Sequence, residues 1–123
     1  MQGGKRRILC AESNKDVADL LQLLLERKGY AVDAVQTAAD CLKLAATERF
    51  DLYVLNDTYI DADSLTLCRE LREIDPGTPV LLFSLDSSGH QPARARAAGV
   101  QVYVSQTSDF VALVQTIDRL LRS

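Results

Sequence analysis

Short apolar runs alternate with segments of helical periodicity five times along the 123 residues of this chain. The apolar runs stand at 7–11, 30–35, 51–56, 79–84 and 100–104. Strands that are separated by helices need crossover connections, so they run parallel in a sheet that helices cover on both faces. The sequence therefore predicts an α/β domain with a (βα)5 doubly wound parallel sheet, and 2-1-3-4-5 is the usual strand order for five such units.

The helical segments have recognisable ends. The predicted helices cover 16–28, about 37–47, 64–74, about 91–98 and a last segment capped by Ser108. Ser13 or Asn14 is the expected cap of the first helix, and Ser64 or Asp63 that of the third. The apolar stripe of the first helix is expected on Val17, Leu20, Leu21 and Leu24, which follow an i, i+3, i+4, i+7 spacing.

Composition favours one globular domain and excludes several other classes of protein. Apolar residues make up 47% of the chain and charged residues 25%, with a net charge of −3. A net negative charge argues against direct nucleic-acid binding, and no apolar run approaches the length of a membrane span. Cys10, Cys41 and Cys68 lack metal-site spacing, so we expect reduced core thiols in a cytoplasmic protein.

Four segments resemble the receiver domains of bacterial response regulators in two-component signalling. They are ILCAESN at 8–14, DLYVLND at 51–57, TPVLLFS at 78–84 and AAGVQVYVSQT at 97–107. The resemblance spans essentially the whole chain and implies the flavodoxin-like fold for a receiver-like domain over 1–123. Receivers often continue into an output domain. The resemblance therefore leaves open that this domain is the N-terminal part of a longer regulator.

The resemblance also implies where a phosphorylation site should stand, and most of its residues differ here. The family's acidic pair falls on Glu12 and Ser13, its phosphoacceptor aspartate on Asn56 and its lysine on Gln106. An amide cannot act as the carboxylate nucleophile that forms an acyl phosphate. Mg²⁺ is usually held by carboxylates and water, so we expect no metal site beyond weak Mg²⁺ binding at Glu12, and no other cofactor.

Three further positions keep part of the family pattern. Ser84 retains the hydroxyl position that ends the fourth strand, and Tyr103 stands at the position of the switch aromatic. A small polar residue at a strand end explains Ser84 equally well, and partial cover of the edge strand is the favoured interpretation of Tyr103. Asp57, one residue beyond the acceptor position, is the alternative acceptor, but a one-residue shift along a strand reverses side-chain direction.

Three functions are compatible with these features. The first is a non-enzymatic pseudo-receiver that acts in signal transduction without phosphorylation. It would bind a protein partner, or a second copy of itself, through the face of the fourth helix, fifth strand and fifth helix. The second is a receiver phosphorylated at a non-standard residue such as Asp57. The third is a flavodoxin-like domain that binds a small ligand in the vacated pocket.

Overall fold

A computed structural model describes residues 5–56, 62–84, 92–105 and 107–122, and in these ranges five strands alternate with five helices. The strands are β1 (Arg7–Ala11), β2 (Ala31–Val35), β3 (Leu52–Asn56), β4 (Val80–Phe83) and β5 (Val102–Val104). The helices are α1 (Lys15–Arg27), α2 (Ala38–Thr47), α3 (Ser64–Ile74), α4 (Pro92–Ala97) and α5 (Phe110–Arg122).

The strands form one parallel sheet in the order β2-β1-β3-β4-β5, so the predicted order is confirmed. The chain starts in the middle of the sheet, moves outward to β2, and then crosses back over β1 to β3. The order therefore reverses between β1 and β3. In open parallel sheets of this type, the crevice beyond the carboxyl ends of the two strands at such a reversal is where ligands bind.

Each face of the sheet has its own hydrophobic core. One core includes Leu9, Leu55 and Leu82 with the buried residues of α2 and α3, and Ala95 of α4. The other includes Ile8, Val54 and Phe83 with the buried residues of α1 and α5. Because side chains alternate across a strand, neighbouring residues enter opposite cores, and the central strands β1, β3 and β4 are apolar almost without interruption.

The helix caps agree with the sequence in α1 and α3 and differ from it in α5. Asn14 caps α1 and Asp63 caps α3, each one of two residues proposed. The predicted cap Ser108 is wrong: Asp109 Oδ1 accepts the backbone N–H groups of Val111 (3.0 Å) and Ala112 (3.1 Å). Both residue types can cap a helix, and the position of the first turn selects Asp109 because it immediately precedes α5.

The apolar stripe predicted for α1 is partly wrong. The residues of α1 that are buried are Ala18, Leu21 and Leu25, while Leu20 is 39% exposed. Five of the thirteen α1 residues are leucine, so several stripes satisfy helical periodicity almost equally well. The packing of α1 beside β2 and α5 selects one of them.

Arg72 joins α3 to the amino end of β5. Its Nε and Nη2 atoms donate hydrogen bonds to the carbonyl oxygen of Gly99, at 3.1 Å and 2.8 Å, and Nη1 donates to the carbonyl oxygen of Thr78. Gly99 has φ +104°, and a Cβ there would lie 2.8 Å from Arg72 Cγ. The sequence did not reveal the contact with Gly99, because that residue lies 27 positions further along the chain.

All three cysteines are buried, which confirms their predicted core positions. Burial raises the pKa of the Cys10 thiol to about 12 and that of Cys41 likewise to about 12. These thiols therefore stay protonated at neutral pH. Within the described ranges, no helix has both the length and the apolar character that a membrane span requires.

Candidate functional site

Three buried polar residues lie where the central strands end. Glu12 follows β1, Asn56 is the last residue of β3, and Ser84 follows β4. Their side chains are 0%, 6% and 1% exposed, respectively. Ala11 pairs with Leu55 and Asn56 pairs with Phe83, so the three residues follow one another along the carboxyl edge of the sheet. The parallel register therefore brings together three positions that are far apart in sequence.

Glu12 lies at the centre of this group. Its Oε2 atom accepts the backbone N–H of Asn14 at 2.8 Å, and the side chains of Asn56 and Ser13 also hydrogen-bond to the carboxyl group. Its Oε1 atom is buried and has no hydrogen-bond partner among the residues that the structure describes. Burial raises the pKa of Glu12, and the hydrogen bonds from Asn14, Asn56 and Ser13 lower it by less, so the net shift is upward.

The described part of this edge does not fit Mg²⁺. Glu12 supplies a single carboxylate, and Ser13, Asn56 and Ser84 supply only neutral oxygen atoms. Across the described ranges, no group of three or more His, Cys, Asp or Glu side chains could hold a metal ion. Burial also raises the pKa of Glu12, so the ionised form that a metal ligand needs is less favourable here than in an exposed carboxyl group. We therefore assign no metal chemistry to these residues.

Ser84 anchors the loop that follows β5. The backbone N–H of Ser84 donates to the carbonyl oxygen of Val104 at 2.9 Å, and the N–H of Thr107 donates to the carbonyl oxygen of Ser84 at 2.7 Å. This hydrogen bond needs the backbone N–H of Thr107, which a proline at that position would lack. The sequence did not reveal the contact between Thr107 and Ser84.

Tyr103, on the edge strand β5, is half-buried and packs against the core on the α2–α3 side of the sheet. This placement agrees with the favoured interpretation of a side chain that partly covers the edge strand. Two other predicted site residues, Asp57 and Gln106, lie outside the described residues.

A cleft of about 730 Å³ lies at the opposite, amino edge of the sheet, far from Glu12, and Arg7 and Phe50 are among the residues that line it. Arg7 pairs with Glu48 at 2.6 Å and with Asp33 at 2.9 Å, and its guanidinium carbon lies 4.7 Å from the centroid of the Phe50 ring. The arginine is thus engaged by groups of the protein itself. We assign this cleft a structural role.

Comparison with known proteins matches residues 8–118 to the response regulator receiver domain. The chain is 27% identical over 118 residues to the transcriptional regulatory protein ZraR of Salmonella typhimurium, covering 96% of this chain and 27% of that protein. It is 28% identical over 116 residues to the response regulator MprA of Mycolicibacterium vanbaalenii, covering 94% of this chain and 50% of that protein. The chain thus spans between a quarter and a half of the length of these relatives.

A CheY-like response regulator receiver domain protein from Methanospirillum hungatei superimposes with a TM-score of 0.88 at 22% identity. The superposition covers 97% of this chain and 95% of that chain. At this level of identity the likeness concerns the fold.

Proposed function

Because the chain belongs to the response regulator receiver domain family, we propose that it is a signalling domain that acts through protein contacts without being phosphorylated. Its role in two-component signalling follows from the family. Independence from phosphorylation is the part that rests on this chain's own residues. The vacated edge of the sheet is then a structural remnant, and the output depends on which proteins the surface contacts.

The observation that supports the proposal is the hydrogen-bonded pair of Asn56 and Glu12. A receiver needs a carboxylate at the end of β3 to attack a phosphoryl group, and the amide of Asn56 is neutral and far less nucleophilic. Glu12 is fully buried, and burial raises its pKa. A single buried carboxyl group beside a neutral amide needs no cation, whereas three ionised carboxylates in one place would need one to offset their repulsion.

The proposed contact surface is the face formed by α4, β5 and α5, where members of this family commonly dimerise or bind partners. β5 is the edge strand of the sheet, so none of the described strands covers this face. A domain without a covalent switch cannot change its partner affinity by phosphorylation. Regulation must then come from the partner's own concentration or state.

A backbone amide NMR titration tests the proposal directly. Mg²⁺ is added first, and then beryllium fluoride as a phosphoryl mimic, while intact mass is measured after incubation with acetyl phosphate and Mg²⁺. The expected result is no saturable shift at Glu12, Asn56 or Ser84 and no gain of a phosphoryl group. Saturable shifts that spread to Tyr103, or a phosphoryl adduct on Asp57 or any other residue, would overturn the proposal.

The matched control is the single substitution Asn56→Asp, which restores the acceptor carboxylate, and a dispersed amide spectrum establishes that this variant is folded. A response in this variant alone would show that the assay detects a working acceptor and that the missing carboxylate silences the parent chain. If the variant is silent as well, an intact receiver carried through the same titration establishes that the assay responds, and the rest of the site is then inactive too.

A further inference from the structure

Charge is distributed unevenly along this chain. Residues 1–86 carry ten basic and fifteen acidic side chains, a net charge of −5, whereas residues 87–123 carry four arginines and two aspartates, a net charge of +2. The second segment contains α4, β5 and α5. The proposed contact face is therefore built from the basic part of an acidic protein.

Three of the four arginines lie at one end of this face. Arg94 and Arg96 are in the last turn of α4, and Arg119 is in the last turns of α5. Both helices follow parallel strands and run back in the opposite direction, so these turns lie near the amino end of the edge strand β5. All three side chains are exposed, and Arg119 Nη2 lies 3.3 Å from Thr116 Oγ1, on the side of α5 that adjoins β5.

The two aspartates of this segment do not neutralise these arginines. Asp109 accepts the backbone N–H groups of Val111 and Ala112 at the start of α5, at the other end of the helix. Asp118 lies on the side of α5 that faces α1, where it accepts a hydrogen bond from the Tyr30 hydroxyl group and forms an ion pair with Arg122. The ion pairs in the part of the chain that the structure describes are formed by Arg7, Lys15 and Arg122, and none is formed by the three arginines.

Helix dipoles offset only part of the charge. The carboxyl end of a helix has a partial charge of roughly −0.5, so the ends of α4 and α5 together offset about one unit. Among the described residues, Arg94, Arg96 and Arg119 then keep about two positive units that no ion pair or helix dipole offsets.

From this arrangement we infer that the α4–β5–α5 face binds an acidic segment of a different protein and not a second copy of this chain. The inference rests on the proposed function, because it specifies the partner of that same surface. A two-fold dimer brings the same face of each copy together, so both sides of the interface would carry the same excess of positive charge. Like charges across an interface repel, which disfavours a second copy as the occupant.

The surroundings favour a protein segment over a nucleic acid or an anionic membrane. Half-buried Tyr103 and 36%-exposed Leu120 offer apolar contact area next to the arginines, and aromatic residues and arginine are enriched where proteins meet. Nucleic acids and anionic membranes present extended negative charge, which the net charge of −3 on the whole chain repels. A short acidic segment meets only the local positive charge.

The test is an amide NMR titration, without Mg²⁺, using a short synthetic peptide rich in Glu and Leu and a counterpart with Lys in place of Glu. The acidic peptide is expected to shift residues 92–105 and 112–120, and to bind more weakly as salt is added. The variant Arg94→Glu/Arg96→Glu/Arg119→Glu is expected to lose at least about tenfold in affinity. Equal binding of the Lys peptide, or shifts on another face, would overturn the inference.

A control variant carries the same charge change elsewhere. Arg27→Glu/Lys43→Glu/Arg69→Glu replaces three exposed cations on α1, α2 and α3, and it is expected to keep the affinity of the parent chain. If the control loses affinity as much as the face variant does, overall charge explains the binding and the inference fails. Well-dispersed amide spectra of both variants establish that they are folded.

Two further measurements separate the competing occupants of the face. Sedimentation of the parent chain across micromolar concentrations is expected to show a monomer, and a dimer that the face variant abolishes would overturn the inference. Tighter binding to duplex DNA or to phosphatidylserine vesicles than to the acidic peptide would overturn it as well. A dimer would contradict this inference but not the proposed function, which allows a second copy as the partner. A response to beryllium fluoride would contradict the proposed function but not the preference of this face for an acidic segment.

Discussion

Substituting aspartate for Asn56 should destabilise this domain strongly at neutral pH, and the reason lies in its buried neighbour. Asn56 is 6% exposed and its side chain hydrogen-bonds to the carboxyl group of Glu12, which is fully buried. Asn56→Asp replaces a neutral partner with a second carboxyl group at hydrogen-bonding distance. Two ionised carboxylates cannot share such a site without a proton or a cation between them.

The magnitude follows from the separation of the two groups. Two unit charges about 4 Å apart interact by about 4 kcal/mol at an effective dielectric constant of about 20. The pair can reduce this cost by keeping one proton, so we expect a loss of about 2–4 kcal/mol in the free energy of unfolding at pH 7. A domain of this size has a total stability of about 5–15 kcal/mol, so the variant should remain folded but unfold at clearly lower denaturant.

The pH dependence has a definite sign. The second carboxylate raises the pKa of the pair in the folded state above its unfolded value, so the folded variant holds a proton that the unfolded chain has released. The stability of the variant should therefore be highest below about pH 4 and should fall as pH rises through the folded pKa of the pair. The deficit relative to the parent chain should shrink in acid.

The assay is urea unfolding of four proteins, namely the parent chain, Asn56→Asp, Glu12→Gln and the double variant, at pH 4 and pH 7. In the Glu12→Gln background the aspartate no longer faces the Glu12 carboxylate, so its cost should be lower by at least about 2 kcal/mol than in the parent background. A coupling energy below about 0.5 kcal/mol at pH 7 would refute this account, because the two side chains would then act independently.

Three further substitutions test other parts of the fold by urea unfolding. Arg72→Met removes hydrogen bonds from a charged donor to carbonyl oxygens and should cost about 3 kcal/mol, and a loss below about 1 kcal/mol would contradict that role. Burial alone would raise the pKa of Asp75, but hydrogen bonds from Thr78 and Tyr53 outweigh it and lower that pKa. The hydrogen bond from Tyr53 to Asp75 thus stabilises the fold above the unfolded pKa of Asp75, and this stabilisation is lost as pH falls through the folded pKa. Tyr53→Phe should therefore reduce the free energy of unfolding at pH 7 and make it fall less in acid. An unchanged dependence of stability on pH below neutrality would contradict this role. Leu21→Ala should cost about 2–5 kcal/mol and Leu23→Ala, at 48% exposure, under about 1 kcal/mol, and equal costs would contradict the burial of α1.

The alternation of apolar runs and helical segments was sufficient to predict the five strands, their parallel direction and their order. These features depend on local periodicity and on the handedness of crossovers, and both are properties of the chain itself. The resemblance to receivers singled out Glu12, Asn56 and Ser84, and the coinciding carboxyl ends of parallel strands bring them to one edge. Periodicity was least successful in α1, where the leucines permit more than one stripe.

Three details depended on contacts between distant segments. Arg72 hydrogen-bonds to Gly99, and Thr107 donates its N–H to Ser84, yet neither pair has a signature in the neighbouring sequence. The missing hydrogen-bond partner of Glu12 Oε1 is likewise visible only when every neighbouring atom is in place.

The sequence by itself thus determined the architecture of this receiver domain and the chemical types at its phosphorylation-site positions, including the amide of Asn56. Only the tertiary structure decided that Glu12 is fully buried and hydrogen-bonded to that amide, and that three arginines from two helices gather beside one edge strand. The physical reason is that periodicity and residue type are local properties of the chain. Burial, pKa and the sum of charges on a surface depend on which distant residues the fold brings together.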